Sequence, residues 1–136
     1  MREPISACII TFNEERKIER CLRSVAWCDE IVVLDSFSTD RTLDICRRYT
    51  DRVCQNTWLG YVGQRNRIRE MARGPWILFL DSDEEVTDEF VNRIRSTVIS
   101  TPLRLGCRFS HVRTNRRRGE SHCALNLRAN KPLDRV

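Results

Sequence analysis

The chain has 136 residues, a formal net charge of +5 and 40% hydrophobic residues, enough for one domain that buries roughly two thirds of its unfolded surface and too apolar for wholesale disorder. Its longest apolar run ends at Leu80 and falls well short of the roughly 18 residues a membrane span needs; no basic-then-apolar leader opens it, so a cytoplasmic protein is expected. The charge is lopsided: residues 1–100 hold 15 basic against 17 acidic side chains and residues 101–136 hold 9 against 2, which argues against a nucleic-acid module, whose basic stripe belongs on the folded part.

In chain order, residues 5–12 (ISACIITF) form an apolar, β-branched run of strand length, as do 30–35 (EIVVLD) and 75–81 (PWILFLD), with a weaker candidate at 52–56 (RVCQN). Runs apolar on both faces imply parallel strands covered by helices on each side. Ile18, Cys21, Leu22 and Val25 follow helical spacing, and so do Thr42, Ile45, Cys46 and Tyr49. Ser38 or Thr39 is suited to cap the second helix, with Asp40 against the positive end of its dipole. A third helix is predicted from about Gln64 to Ala72, stopping at Gly74-Pro75, and Thr87 caps a fourth with Phe90, Ile94 and Val98 inside. The β-α alternation predicts an α/β fold: an open, mainly parallel sheet with helices on both faces. Ligands in such sheets bind beyond the carboxyl ends of the strands, where the polar groups Thr11, Asn13, Glu14, Asp35, Ser36, Asp81, Ser82 and Asp83 gather.

Beyond about residue 103 the periodicity fails, four arginines fall within Arg113–Arg118, and a largely disordered tail over 104–136 is expected. The seven cysteines (8, 21, 28, 46, 54, 107 and 123) form no C-x-x-C pair and read as reduced thiols, mostly buried. Cys107, His111, His122 and Cys123 match no familiar zinc spacing.

The strand at 75–81 leads into DSDEE (81–85). In an extended segment Asp81 and Asp83 point to one side, so two carboxylates can converge on Mg²⁺ or Mn²⁺ whose open positions a diphosphate fills. The alternative is an acidic helix start that needs no ligand. An EF-hand loop is a weaker reading, because it wants Gly at its sixth position and that place holds Val86. TFNEE (11–15) turns from strand to helix and suits phosphate or ribose, or equally an Asn13 cap. Asp35 in LDSFSTDRT (34–42) reads either as an acceptor for a base or ribose or as a plain cap. In GYVGQRNRI (60–68), Gly60 and Gly63 allow a close-approaching loop and Arg65 offers charge to a phosphate.

IITFNEE, EIVVLDSFSTDRT, GYVGQRNRI and WILFLDSDEEV, in that order, resemble the family 2 inverting glycosyltransferases of the GT-A fold over roughly residues 5–100, and more narrowly the bacterial branch that builds lipopolysaccharide core and envelope glycans. The resemblance implies a Rossmann-like nucleotide-sugar-binding half-domain at 1–103. It places Thr11, Asn13 and Glu14 near the nucleoside, Asp35 with Ser36 at the base, Arg65 and Asn66 beside the base or diphosphate, and Asp81 with Ser82 at the ribose. Asp83, with Asp81, would hold Mg²⁺ or Mn²⁺ on the phosphates. The implied partners are a nucleoside-diphosphate sugar, with a UDP-sugar favoured, and a glycan or glycolipid acceptor at the inner face of the plasma membrane. Only about fifty residues follow Asp83, and Glu120 and Asp134 are the only acids after Glu89, so no catalytic base is assigned. An incomplete fold with a truncated or frame-shifted continuation past Gly106 is the expectation; the first reading is the nucleotide-sugar half of an inverting, metal-dependent glycosyltransferase, and the alternative is an inactive nucleotide-sugar-binding module that lacks the base and the acceptor site.

Overall fold

The computed structural model describes residues 4–100 and, beyond them, the strand residues 112–113, 122–123 and 126–129; side chains are described for 4–96. The elements alternate as β1 (Ile5–Thr11), α1 (Ile18–Ser24), β2 (Glu30–Asp35), α2 (Thr42–Arg47), β3 (Val53–Gln55), α3 (Gly60–Met71), β4 (Trp76–Asp81) and α4 (Asp88–Ser100). Three short strands follow: β5 (Val112–Arg113), β6 (His122–Cys123) and β7 (Asn126–Ala129).

The main sheet has the order β3-β2-β1-β4-β7. Its first four strands are parallel and β7 joins β4 antiparallel. The chain steps outward from β1 to β3 and then returns to the other side of β1 for β4. That reversal puts the topological switch point between β1 and β4. The register aligns the strand ends, with Thr11 opposite Asp35, Asp35 opposite Gln55, and Ile10 opposite Asp81.

Strict alternation along each strand explains the two cores. Ile5, Ala7 and Ile9 of β1, Ile31 and Val33 of β2, and Trp76, Leu78 and Leu80 of β4 face one side, where α1 supplies Ile18, Cys21 and Leu22, α2 supplies Ile45 and Cys46, and α4 supplies Phe90 and Ile94. Cys8, Val32, Leu34, Ile77 and Phe79 face the other side and meet Ile68 and Ala72 of the α3 region. Each large aliphatic side chain so buried is worth about 1.5–3 kcal/mol relative to exposure. Cys8, Cys21 and Cys46 are among the buried thiols, and burial pushes Cys46 up to about 12.

Several local expectations are corrected. Residues 126–129 and 122–123 form strands inside a segment expected to lack regular structure; the backbone of β4 offers an unpaired edge that β7 fills, and four residues are too few to display a period. The other tail residues, and the side chains of the candidate zinc cluster, lie outside the described residues. α3 begins four residues earlier than predicted, so Gly60 and Gly63 sit in its first turn and form no ligand loop. Gly60 has φ +79°, and a Cβ on Gly63 would lie 2.7 Å from Leu59 Cβ. Neither Ser38 nor Thr39 caps α2; Asp40 Oδ1 takes the Thr42 N–H at 2.9 Å. Thr87 does cap α4, its Oγ1 accepting the Phe90 N–H at 3.3 Å.

Candidate functional site

The carboxyl edge of the sheet is formed by loops that hold one another. Asn13 has φ +46° and Phe37 φ +61°, the two positive-φ non-glycine residues among those described, and both follow strand ends. Asn13 does not cap α1. Its Oδ1 accepts the Thr39 N–H at 2.8 Å and its own N–H donates to Ser38 Oγ at 2.8 Å. The Glu14 N–H donates to Thr42 Oγ1 at 2.9 Å, the Glu15 N–H to Asp40 Oδ2 at 3.3 Å, and the Arg41 N–H to Glu15 Oε2 at 3.1 Å. The β1–α1 and β2–α2 loops are thereby laced across 25 or more residues of sequence.

Asp35 is fully buried. Its carboxylate accepts Ser38 N–H at 2.8 Å, Ser38 Oγ–H at 2.5 Å and Gln55 Nε2 at 3.0 Å. These contacts use three of the roughly four acceptor positions of a carboxylate and make Asp35 the anchor of its loop, distinct from a helix cap. Ser36 Oγ accepts from Gln64 Nε2 at 3.1 Å, which ties α3 to the same loop. Arg65 lies with its guanidinium carbon 5.9 Å from the Phe79 ring centroid, close to the end of β4; Asn66 is exposed.

Asp81 and Asp83 do not lie in one extended segment. Asp81 ends β4, Ser82 and Asp83 form a turn, and the Glu84 N–H closes it on the Asp81 carbonyl at 3.0 Å. A strand that carries its ladder to Asp81 and then meets a helix entry at Thr87 has to change direction between them, and the turn accomplishes this. Asp83 is exposed, Asp81 half-buried, Ser82 buried. No group of three or more His, Cys, Asp or Glu suited to a metal occurs among the described residues. Two hard oxygen donors at an exposed turn fit Mg²⁺ or Mn²⁺ in the manner those ions prefer, with one or two carboxylates and the remainder from phosphate and water.

Sequence reasoning passed over four side chains here: Gln55, Asn56, Gln64 and Glu84. Gln64 carried a signal, since it occupies the sheet-facing stripe of α3 with Ile68 and Ala72, where a polar residue needs a reason. Among the described residues, three buried side-chain atoms have no hydrogen-bond partner: Thr11 Oγ1, Asn56 Oδ1 and Gln64 Oε1. Unpaired buried polar atoms are rare and costly, and these three lie at the carboxyl ends of β1 and β3 and in the first half of α3.

A sequence model described as Glycosyl transferase family 2 matches residues 6–132. An uncharacterized glycosyltransferase of Rickettsia bellii is 42% identical over 95 residues, which cover 69% of this chain and 32% of that protein. The lipopolysaccharide core biosynthesis glycosyltransferase LpsC of Rhizobium meliloti is 39% identical over 88 residues, covering 61% and 33%. The crystal structure of S. aureus TarS 1–349 in complex with UDP-GlcNAc superposes with a TM-score of 0.59 at 29% identity, covering 71% of this chain and 31% of that one. The chain thus spans about a third of the length of these relatives.

Proposed function

Because the chain belongs to glycosyl transferase family 2, we propose that its carboxyl edge binds a nucleoside-diphosphate sugar, a UDP-sugar in preference, and serves inverting transfer of that sugar to an envelope glycan of the lipopolysaccharide-core type. The fold is the GT-A type. The observation that carries the reading is the trio of buried, unpaired polar atoms on Thr11, Asn56 and Gln64, placed where an open α/β sheet takes its ligands.

In this reading the laced loops hold Thr11, Asn13 and Glu14 against the nucleoside, and Asp35 uses its remaining acceptor position at the base, with Ser36 beside it. Arg65 and Asn66 flank the base or diphosphate, Asp81 and Ser82 take the ribose, and Asp83 with Asp81 holds Mg²⁺ or Mn²⁺. When bound, the ion would stabilise charge on the departing nucleoside diphosphate. The protein's own part is orientation: a prepaid loop geometry lowers the entropic cost of binding.

The acceptor side rests on the kinship with LpsC and on the apolar rim beside the site, where Trp58, Leu59, Tyr61 and Val62 are 46–74% exposed. The exposed Arg67 lies on the same helix. Such a rim suits contact with the inner face of the plasma membrane and a lipid-borne acceptor there. No helix among the described residues is long and apolar enough to cross a membrane.

Calorimetry with UDP, with and without Mn²⁺, tests the donor reading: Mn²⁺ should tighten binding, and Asp83→Ala should abolish that increment, a loss of about 10-fold or more, without lowering thermal stability. Equal binding by the variant overturns the metal role. Incubation of UDP-sugars with envelope glycolipid in vesicles then reads transfer; binding without transfer identifies a nucleotide-sugar-binding module.

A further inference from the structure

We infer that Glu84 is the positioning residue of the Asp81–Asp83 turn, fixing the backbone from which both acids project before any ligand arrives. The inference rests on the donor-binding reading for its consequence and on the geometry of the turn for its basis. Glu84 makes a reciprocal pair with Asp81: its N–H donates to the Asp81 carbonyl at 3.0 Å, and its Oε2 accepts the Asp81 N–H at 3.1 Å. The backbone of Asp81, the last residue of β4, is therefore held at both its N–H and its carbonyl by one residue. A third contact comes from α1, where Cys21 Sγ donates to the Asp81 carbonyl at 3.6 Å.

The surroundings make a bland explanation of Glu84 insufficient. The side chain is 5% exposed, whereas its neighbours Asp83 and Glu85 are exposed. An acid that merely favoured the start of α4 would stay in water, as Asp88 and Glu89 do in that helix's first turn. A carboxylate is withdrawn from water only at a cost that hydrogen bonds must offset, and the Asp81 N–H supplies one here. The arrangement is a support shell around an acid pair, the kind of contact that tunes a metal or ligand site through groups that need not touch the ligand.

The test uses the full chain, with Glu84→Ala removing the acceptor and Glu84→Gln keeping it. Glu84→Ala should weaken Mn²⁺-supported UDP binding by about 10-fold and metal-free UDP binding by less, and Glu84→Gln should recover to within about 2-fold of the unmodified chain. Should Glu84→Ala fail to fold, Glu84→Met, which retains buried volume without an acceptor, takes its place. Amide exchange at Asp81, followed by NMR without ligand, reads the turn directly: protection should persist in Glu84→Gln and fall at least about 10-fold in Glu84→Ala, under conditions where core amides such as those of β1 stay protected. Unchanged Asp81 protection in Glu84→Ala overturns the inference, as does a metal-dependent increment that survives the substitution, or a Glu84→Gln variant as impaired as Glu84→Ala. If the unmodified chain shows no metal-dependent UDP binding, the donor reading fails, and Asp81 exchange alone decides the role of Glu84.

Discussion

The two ends of the one parallel sheet satisfy their polar groups in opposite ways. At the amino ends, Glu30 accepts Ser6 Oγ–H at 2.6 Å and the Arg73 N–H at 2.9 Å and pairs with Arg52, while Ser6 Oγ accepts the Gly74 N–H at 2.9 Å and the Ile5 N–H reaches Asp29 at 2.8 Å. Gly74 is required there, because a Cβ would fall 2.5 Å from Ser6 Oγ. At the carboxyl ends the loops are laced as tightly, yet Thr11, Asn56 and Gln64 keep buried atoms without partners and large apolar side chains stand in solvent. The closed end stabilises the fold. In the proposed donor-binding reading, the open end keeps hydrogen-bonding capacity for a ligand, a trade of stability for function that proteins make at working sites.

The largest effect is expected at the closed end. Glu30→Ala should lower unfolding free energy by about 2–3 kcal/mol, since it strands Ser6, the Arg73 amide and Arg52 together, while UDP affinity stays unchanged; urea unfolding and calorimetry read the two. Acid should act on the same group. Burial pushes the Glu30 carboxyl up, but hydrogen bonds from Ser6, Arg73 and Arg52 outweigh it and hold it below its ordinary 4.5. Its contribution is therefore complete above pH 4.5 and lost as pH falls through the lower folded value. Glu30→Gln should flatten the acid limb of stability against pH, and a limb identical to that of the unmodified chain would break the assignment.

An intermediate effect is expected in the laced loops. Asn13→Ala should cost about 1–2 kcal/mol, because it removes the acceptor for Thr39 and forces alanine to a φ of +46°. Asn13→Gly should cost less, since glycine adopts that φ freely. Equal losses in urea unfolding would mean that backbone strain plays no part.

The smallest effect on stability, with the opposite sign for function, belongs to the orphaned atoms. Thr11→Val should leave stability within about 0.5 kcal/mol or raise it, because it replaces an unpaired buried hydroxyl by a methyl of similar shape. UDP binding should weaken. If Thr11→Val binds UDP as well as the unmodified chain, the contrast between the two ends loses its functional meaning.

Much of this architecture was legible in the residues alone. The boundaries of β1, β2 and β4 fall within one residue of their apolar runs, and Ile18, Cys21 and Leu22, or Ile45 and Cys46, are buried as their spacing required. The polar residues at strand ends do share one edge of the sheet. What escaped notice were the partners. Ser38 serves Asp35 and Asn13 in place of a helix cap, Asn13 reaches Thr39 across 26 residues, and Glu84 turns inward from a run of acids indistinguishable by type. α3 starts at two glycines that helix propensity alone would place outside it.

By itself the sequence determined the β-α alternation, the doubly covered sheet and the set of strand ends that carry polar chemistry, because side-chain periods of 2.0 and 3.6 are local properties that burial rewards directly. Only the tertiary structure decided which of those polar groups are spent on each other and which remain open. That choice depends on distances between loops far apart along the chain, and on whether a given oxygen is shut away from water once the helices close over both faces of the sheet.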